Sequence, residues 1–422
     1  MTLSVAGDLP VPDGVDAICV GVADRNASGG QFGRVYRVQS LPQTLAIDPG
    51  SATEADAWVV GYRGGVVVAH DHAVLDFGGD VTLRLDACRR GRAGAAQVAA
   101  TDPAAAARVV GSMGRGGEVA IAIDPAMARV IDASGGGLSV RSMFATGGAV
   151  RDAIAFDADG DCDDDVVIAT DAGPPHLYTR GAFDFTDAGP IGGAAVRAIV
   201  AADVDGDGDQ DVITGAGATL ALYRNDGGGR FTLDGAAFGS GGGGASDVTA
   251  LAAGDLDGDG HTDLVVGQGD AAAAPLFALL GNGEGFAPSA GVLPAVSVRA
   301  ARATLVDADG DRDLDLALSI TGAPARLYVD RGGVLEDQSF VRLPAAAEAT
   351  AMAIATWDDD CAPDLAQAEG DAVHLARGAD GGAFTADGTV PAAGDAAFVD
   401  LDDDGVEDLV TAGAGGVAWV RR

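Results

Sequence analysis

Residues 254–267 read Gly-Asp-Leu-Asp-Gly-Asp-Gly-His-Thr-Asp-Leu-Val-Val-Gly. Aspartates at 255, 257, 259 and 263 fall at positions 1, 3, 5 and 9 of a short loop, and an apolar run follows at once. Closely spaced carboxylates repel one another unless a cation sits among them, and carboxylate oxygens are hard ligands. Alternation at 1, 3 and 5 lets a curled loop aim three side chains at one centre. Gly258 and Gly260 permit the sharp turn. Position 7 can offer its backbone carbonyl, so its side chain is free to vary, and position 9 closes the set with another carboxylate. An EF-hand loop uses the same logic but ends in Glu at position 12 between helices. Here position 12 is Val266 and the flanks are β-like.

The stretch is one of a series. Moving outward, the same frame is Asp157, Asp159, Asp161, Asp163, Asp165, then Asp203, Asp205, Asp207, Asp209, Asp211. After Asp255, Asp257, Asp259, His261, Asp263 come Asp307, Asp309, Asp311, Asp313, Asp315 and finally Asp400, Asp402, Asp404, Val406, Asp408. A worn copy lies before the last: Thr356 replaces the first acid, and Asp358, Asp360, Ala362 and Asp364 keep positions 3, 5, 7 and 9. These six loops are the expected Ca²⁺ sites; Mg²⁺ demands a tighter octahedron and keeps more water.

The loops recur at intervals close to the length of one four-stranded propeller blade. Within a unit the reading is strand, acidic loop, strand, turn, strand: Ala198–Ala202 is apolar, 212–214 is a short strand, 219–223 alternates and Asn225-Asp-Gly-Gly-Gly is a turn. No helical period persists. Fainter units precede these, with Asp102, with Asp48 and Asp56, and with Asp8 and Asp16. The expectation is an all-β chain: a single β-propeller of four-stranded blades over residues 1–422, eight or nine blades with seven not excluded. Residues 1–149 are degenerate metal-free repeats and 150–422 carry six calcium loops between the first two strands of each unit. Gly241–Gly244 is either a flexible spot or a long turn between strands.

The phrase Asp-x-Asp-Gly-Asp-Gly-x-x-Asp-Leu at 255–264, with the other copies, resembles the FG-GAP or VCBS repeat family, whose best-known fold is the integrin alpha-subunit β-propeller. The run at 17–22 followed by Gly33-Arg-Val-Tyr-Arg is similar to the strand-turn-strand of such blades. The resemblance implies a secreted or surface-exposed Ca²⁺-braced propeller used for adhesion or ligand binding, in which the ions brace loops and do no chemistry.

Composition supports a folded, non-nucleic-acid-binding chain. The 422 residues carry 26 basic and 63 acidic side chains, a formal charge of −37, yet 48% are hydrophobic. Every basic residue is Arg; there is no Lys. That balance excludes a basic nucleic-acid footprint, and no apolar run is long enough to span a membrane. The missing Lys removes Schiff-base chemistry. The start lacks a basic segment followed by an apolar one, so a signal peptide is not in this sequence. The six loops hold 30 of the 63 acids, so nearly half the acidity is ion-site acidity; folding is expected to depend on calcium, which favours an extracellular or cell-surface setting.

Other candidates are weaker. His70 and His72 share a strand face and could hold a transition metal, although two ordinary polar strand positions explain them as well. Trp58, Trp357 and Trp419 fall in different units, and Trp357 lies inside a loop, exposed for a sugar or packed between blades. Arg89, Arg90 and Arg92 form the densest basic cluster and read as a solvated loop. Cys162 and Cys361 hold one loop position in units that are not neighbours, which disfavours that pair; Cys19 with Cys88 stays open if the early units adjoin. Asn26-Ala-Ser28 matches a glycosylation acceptor, discounted because the Lys-free composition looks bacterial. The function expected is extracellular binding, adhesion or scaffolding through one propeller face toward a protein or glycan, without membrane insertion. A sugar-binding lectin and a propeller-type polysaccharide lyase or other enzyme are the alternatives; no catalytic residue is assigned.

Overall fold

Seven four-stranded antiparallel sheets follow one another along residues 97–421 of the computed structural model. The described residues are all of the chain except 1, 8, 10, 12–14, 16, 25–30, 38–39, 47–53, 64–65, 76–79, 86–95, 103, 115–116, 134–135, 182–183, 240–244, 312, 345–347, 359, 361, 380, 392–393, 403, 405 and 422. The sheets are numbered as blades 1 to 7 by their first, innermost strands: Arg108–Ser112, Val150–Phe156, Ala198–Ala202, Val248–Gly254, Ala300–Val306, Ala351–Ala355 and Asp395–Val399. Blades 1 to 6 are built from consecutive strands; blade 4 adds a two-stranded ladder between Ala274–Pro275 and Ser297–Val298. Blade 7 takes three strands from the C-terminal end of the chain, and its outermost strand is Gln97–Asp102, antiparallel to Gly416–Arg421. Sharing a sheet between distant parts of the chain closes the ring and removes its free edge.

The second strand of each ion-loop blade explains why the blades stack. In Asp165–Thr170, Asp263–Gln268 and Asp315–Ile320 every residue is buried, because both faces of the strand meet a neighbouring blade. Alternate side chains therefore serve alternate neighbours: Leu264 and Val266 join the core shared with blade 3, and Val265 joins the core shared with blade 5. Seven such interblade cores are present among the described residues, and the last unites Val109, Ala120 and Ile131 of blade 1 with Leu401, Val410 and Trp419 of blade 7.

The ring begins later than the repeats suggested. Residues 2–84 form two sheets of their own, one ordered Gln31–Arg37, Ala17–Asp24, Ala55–Arg63, Val66–Leu75, the other Gln43–Ala46, Thr2–Ala6, Val81–Arg84. They share a core of Leu3, Val5, Ile18, Val20, Val59 and Leu83. The expectation of one propeller from residue 1 to 422 is corrected accordingly, and the blade number is seven, the low end of what the repeats allowed. Alternating apolar strands look alike in a propeller and in a two-sheet unit; only the pairing partner separates them. The segment around Asp102, read as a worn unit, is the closing strand of blade 7. Asp8, Asp16 and Asp48 lie outside the described residues.

The N-terminal unit is tied to blade 2. Cys19 forms a disulfide with Cys162, the sixth loop position. Trp58 is fully buried and its Nε1 donates to the Cys162 carbonyl at 2.5 Å. Cys162 takes a positive φ of 68° at the position that Gly208 and Gly260 hold in blades 3 and 4. Neither cysteine pairing weighed from the spacing paired these two, because pairing across 143 residues depends on how the two units dock. Cys88 and Cys361 lie outside the described residues, as do Arg89, Arg90, Arg92, Gly241–Gly244 and Asn26–Ser28. His70 and His72 pair by backbone with Val60 and Trp58; their side chains are outside the described set. No helix among the described residues is long and apolar enough to cross a membrane.

Candidate metal centres

Each acidic loop joins the inner strand of its blade to the second strand and is pinned at two points. Position 2 is apolar and buried every time: Ala158, Val204, Leu256, Ala308, Trp357 and Leu401. Position 9 is a fully buried aspartate every time: Asp165, Asp211, Asp263, Asp315, Asp364 and Asp408. A buried carboxylate needs partners. One oxygen of Asp263 accepts the Leu256 amide at 2.8 Å and the other accepts the Gly281 amide, at the end of the third strand, at 2.8 Å. Asp315 does the same with Ala308 and Asp330, Asp211 with Val204 and Asn225, and Asp165 with Ala158 and Arg180. Position 9 thus clasps the loop to the blade as well as facing the acidic centre, a task the spacing alone did not reveal.

Between these pins the loop curls around its own carboxylates. Asp255 accepts the amides of Gly258 at 2.8 Å and Gly260 at 2.9 Å, and Asp203 does likewise with Gly206 and Gly208. Position 5 accepts the position 7 amide, as in Asp259 with His261 at 2.9 Å and Asp404 with Val406 at 3.1 Å. Gly206, Gly208, Gly258 and Gly260 all take positive φ, which is why these positions favour glycine. One carboxylate oxygen from each of Asp203, Asp205 and Asp207 lies within 4.8 Å of the others; the same holds for Asp255, Asp257 and Asp259, for Asp307, Asp309 and Asp311, and for Asp157, Asp159 and Asp165. His261 is exposed, as its carbonyl-offering position predicts.

Crowded burial without a counter-ion is costly. Burial first, then neighbouring aspartates, push Asp165 up to about 9 and Asp161 up to about 7. Burial likewise pushes Asp315 up to about 7 and Asp211 and Asp263 up to about 6, against the lowering effect of their amide partners. Asp157 lies well above the ordinary carboxylate range for the same reason. Asp159 Oδ1 and Asp309 Oδ1 are buried without a hydrogen-bond partner. A hard divalent cation fits this donor set. Together the loops define a recurrent unit of known kind: an FG-GAP-like repeat model matches residues 157–214, 203–266 and 255–318 in tandem. Residues 157–318 are thus similar to FG-GAP-like repeats. 

The acidic loops differ in what surrounds them. Arg224 approaches Asp205 at 3.3 Å and Asp211 at 3.2 Å. Arg377 approaches Asp358 at 3.3 Å, Arg421 approaches Asp402 at 2.6 Å, and Arg342 approaches Asp309 at 3.1 Å. In four blades an arginine thus touches position 3. Arg224, Arg377 and Arg421 each stand 13 residues after position 9, a regularity visible in the sequence. Blade 1 has no acidic loop: its Met113 amide donates to Asp164 at 2.9 Å, and Arg180 donates to the Ser112 carbonyl at 2.7 Å and the Gly117 carbonyl at 2.9 Å. All three tryptophans are buried, Trp357 against Phe398, so none offers a stacking face for sugar.

An Agrocybe aegerita lectin, in a structure concerned with recognition of non-reducing terminal N-acetylglucosamine, is similar over 74% of this chain and 89% of its own at 20% identity and a TM-score of 0.45. The exotype rhamnogalacturonan lyase YesX is similar over 100% of this chain and 89% of its own at 11% identity and a TM-score of 0.46. No curated protein sequence matches the chain.

Proposed function

We propose that the protein is an extracellular Ca²⁺-braced β-propeller that binds a protein or glycan partner through one face of the ring, serving adhesion or scaffolding. The observation that carries this reading is the gathering of three carboxylates at one centre in four successive blades, beside position 9 aspartates (Asp165, Asp211, Asp263, Asp315) that burial pushes up. Positions 1, 3, 5 and 9 supply carboxylate oxygens and position 7 its carbonyl, the donor chemistry Ca²⁺ prefers. In the worn loop Asp358, Asp360 and Asp364 remain as donors, with the Ala362 carbonyl. When bound, the cation supplies charge balance and holds the loop; it takes no part in bond making.

Six divalent ions would offset about 12 of the 37 negative charges, which ties ring stability to calcium supply. Extracellular calcium modules work at the millimolar level, matching loops open to solvent at positions 3 to 7 in blade 4. The test is thermal unfolding of the full chain in 2 mM CaCl₂ and in excess chelator, with bound calcium counted by equilibrium dialysis. A calcium-dependent rise in melting temperature and several bound ions per chain are expected. An unchanged melting temperature with no bound ion would sink the calcium reading.

A further inference from the structure

The inner strands carry opposite charge at their two ends. Each enters its acidic loop at its C-terminal end. Six residues before the first loop position, at the other end, blades 2 and 3 place Arg151 and Arg197, and the inner strand of blade 1 opens with Arg108. Blade 5 adds Arg302 one residue further in. A strand rises about 3.3 Å per residue, so these guanidiniums stand about 20 Å from the loops. They line a cavity of about 830 Å³ that runs down the ring between blades 1 to 5. A protein with 63 acidic and 26 basic side chains has put four arginines around one opening.

Two of the four are committed to structure. Arg302 forks onto Asp395 at 2.6 and 2.9 Å, where the Asp395 carboxylate also accepts the Val109 amide, locking blades 5, 7 and 1 together. Arg197 forks onto Asp270 at 2.7 and 2.9 Å. Arg108 and Arg151 are held more loosely. Arg108 donates to the Arg151 carbonyl at 2.7 Å and comes no nearer than 3.8 Å to Asp152; Arg151 is half exposed and 3.7 Å from Asp171. Asp152 cannot neutralise them fully, because its two oxygens accept the Ile199 and Ala153 amides and its enclosure in the channel wall pushes it up to about 7. The same cavity is lined by groups suited to hydroxyls: Thr249, Thr321 and the Asp270 carboxylate, whose oxygens already accept from Arg197.

We propose that the channel mouth at Arg108 and Arg151 is a binding site for the carboxylate of an acidic sugar, with Asp270 and the two threonines receiving its hydroxyls. A guanidinium fork matches a planar carboxylate, and the cavity is of the size that encloses a small ligand. A monoanion suits the site better than a phosphate dianion, which would meet Asp152, Asp270 and the field of the whole chain. The assignment rests on the reading of the ring as a binding module and names its face, the one opposite the calcium loops, and its ligand class.

The experiment is isothermal titration of the calcium-loaded full chain with glucuronate, glucose and inorganic phosphate. Glucuronate is expected to bind, glucose not to bind, and phosphate to bind more weakly than glucuronate. Arg151→Gln and Arg108→Gln each should weaken glucuronate by about tenfold, since each removes half of a charge-assisted pair, while exposed Arg230→Gln leaves it unchanged. Melting curves with calcium identify any variant that fails to fold, and the half-exposed Arg151 gives the cleaner one. Equal binding of phosphate and glucuronate overturns the sugar assignment, and binding that survives both arginine variants overturns the location. No binding of any of the three overturns the proposal, and a retained calcium-dependent melt then shows that the braced ring itself stands.

Discussion

In blade 4 the loop carboxylates Asp255, Asp257 and Asp259 have no guanidinium among the described ion pairs, whereas in blade 7 Arg421 reaches Asp402 at 2.6 Å, Asp404 at 3.4 Å and Asp408 at 3.7 Å. Both loops place a buried apolar side chain at position 2, Leu256 or Leu401, and a buried aspartate at position 9. The backbone frame is therefore independent of how the charge inside it is balanced. Blade 7 carries a built-in cation that partly neutralises the site; blade 4 has only solvent or an ion to do so. The two loops should respond unequally whenever calcium is removed.

The largest effect is expected on chelation. Each site held at 100 times its dissociation constant contributes about 2.7 kcal/mol, so stripping several lowers the melting temperature by well over what one core mutation does. Hydrogen exchange locates the loss: the amides of Gly258 and Gly260 in blade 4 should lose more protection than those of Asp404 and Val406 in blade 7. Equal loss in both would break the comparison.

Next come the clasps, where blades 4 and 5 should behave alike. Asp263→Ala leaves the Leu256 and Gly281 amides without their acceptor inside the ring, at about 1–3 kcal/mol for each buried donor left unpaired. Asp315→Ala, which strands the Ala308 and Asp330 amides, should cost a similar amount. Chemical denaturation in calcium reads both. If either variant matches the parent, position 9 is a ligand only and not a pin.

The pH response of the metal-free protein has an unusual sign. Asp165 at about 9, Asp315 at about 7, and Asp211 and Asp263 at about 6 all bind protons more tightly folded than unfolded. Their protonation therefore stabilises the fold fully below about pH 4, and that contribution is lost as pH rises from there through 6 to 9. In chelator, lowering the pH from 8 to 5.5 should raise the melting temperature; in saturating calcium the same step should lower it, because protons then compete with the ion. Parallel slopes in the two buffers would contradict ion binding at these carboxylates.

The repeat was legible because its chemistry is local. Aspartates at fixed spacing, glycines where φ must be positive, and an apolar run behind them specify loop and strand within about 14 residues, and the structure keeps every one of those loops between first and second strands. What escaped was non-local. Alternating apolar residues at 2–84 suit a blade or a separate pair of sheets equally, and Gln97–Asp102 reveals its place only by pairing with Gly416–Arg421. The Cys19–Cys162 bond and the arginine mouth likewise depend on how distant segments meet, which periodicity does not encode. Trp357 looked available for a sugar because it sits in a loop, but position 2 is the pin and points into the core.

The smallest effect tests the comparison most directly. If Arg421 substitutes in part for the ion, removing it should strengthen calcium binding in blade 7 rather than weaken it, although a salt bridge is lost. A partly exposed ion pair contributes at most about 1 kcal/mol, so Arg421→Gln should cost little stability in chelator and tighten that one site by about fivefold. The Arg224→Gln variant should act alike in blade 3, where the guanidinium holds Asp205 and Asp211. Blade 4 offers the opposite construction: Leu280 stands one residue before the clasping Gly281, the place Arg224 and Arg377 take in their blades, so Leu280→Arg should weaken calcium there. Site-resolved titration by the amide resonances of the loop glycines reads all three. Were Arg421→Gln to weaken calcium instead, the arginine would be an organiser of the cage and not its competitor, and the contrast between blades 4 and 7 would be one of packing rather than of charge.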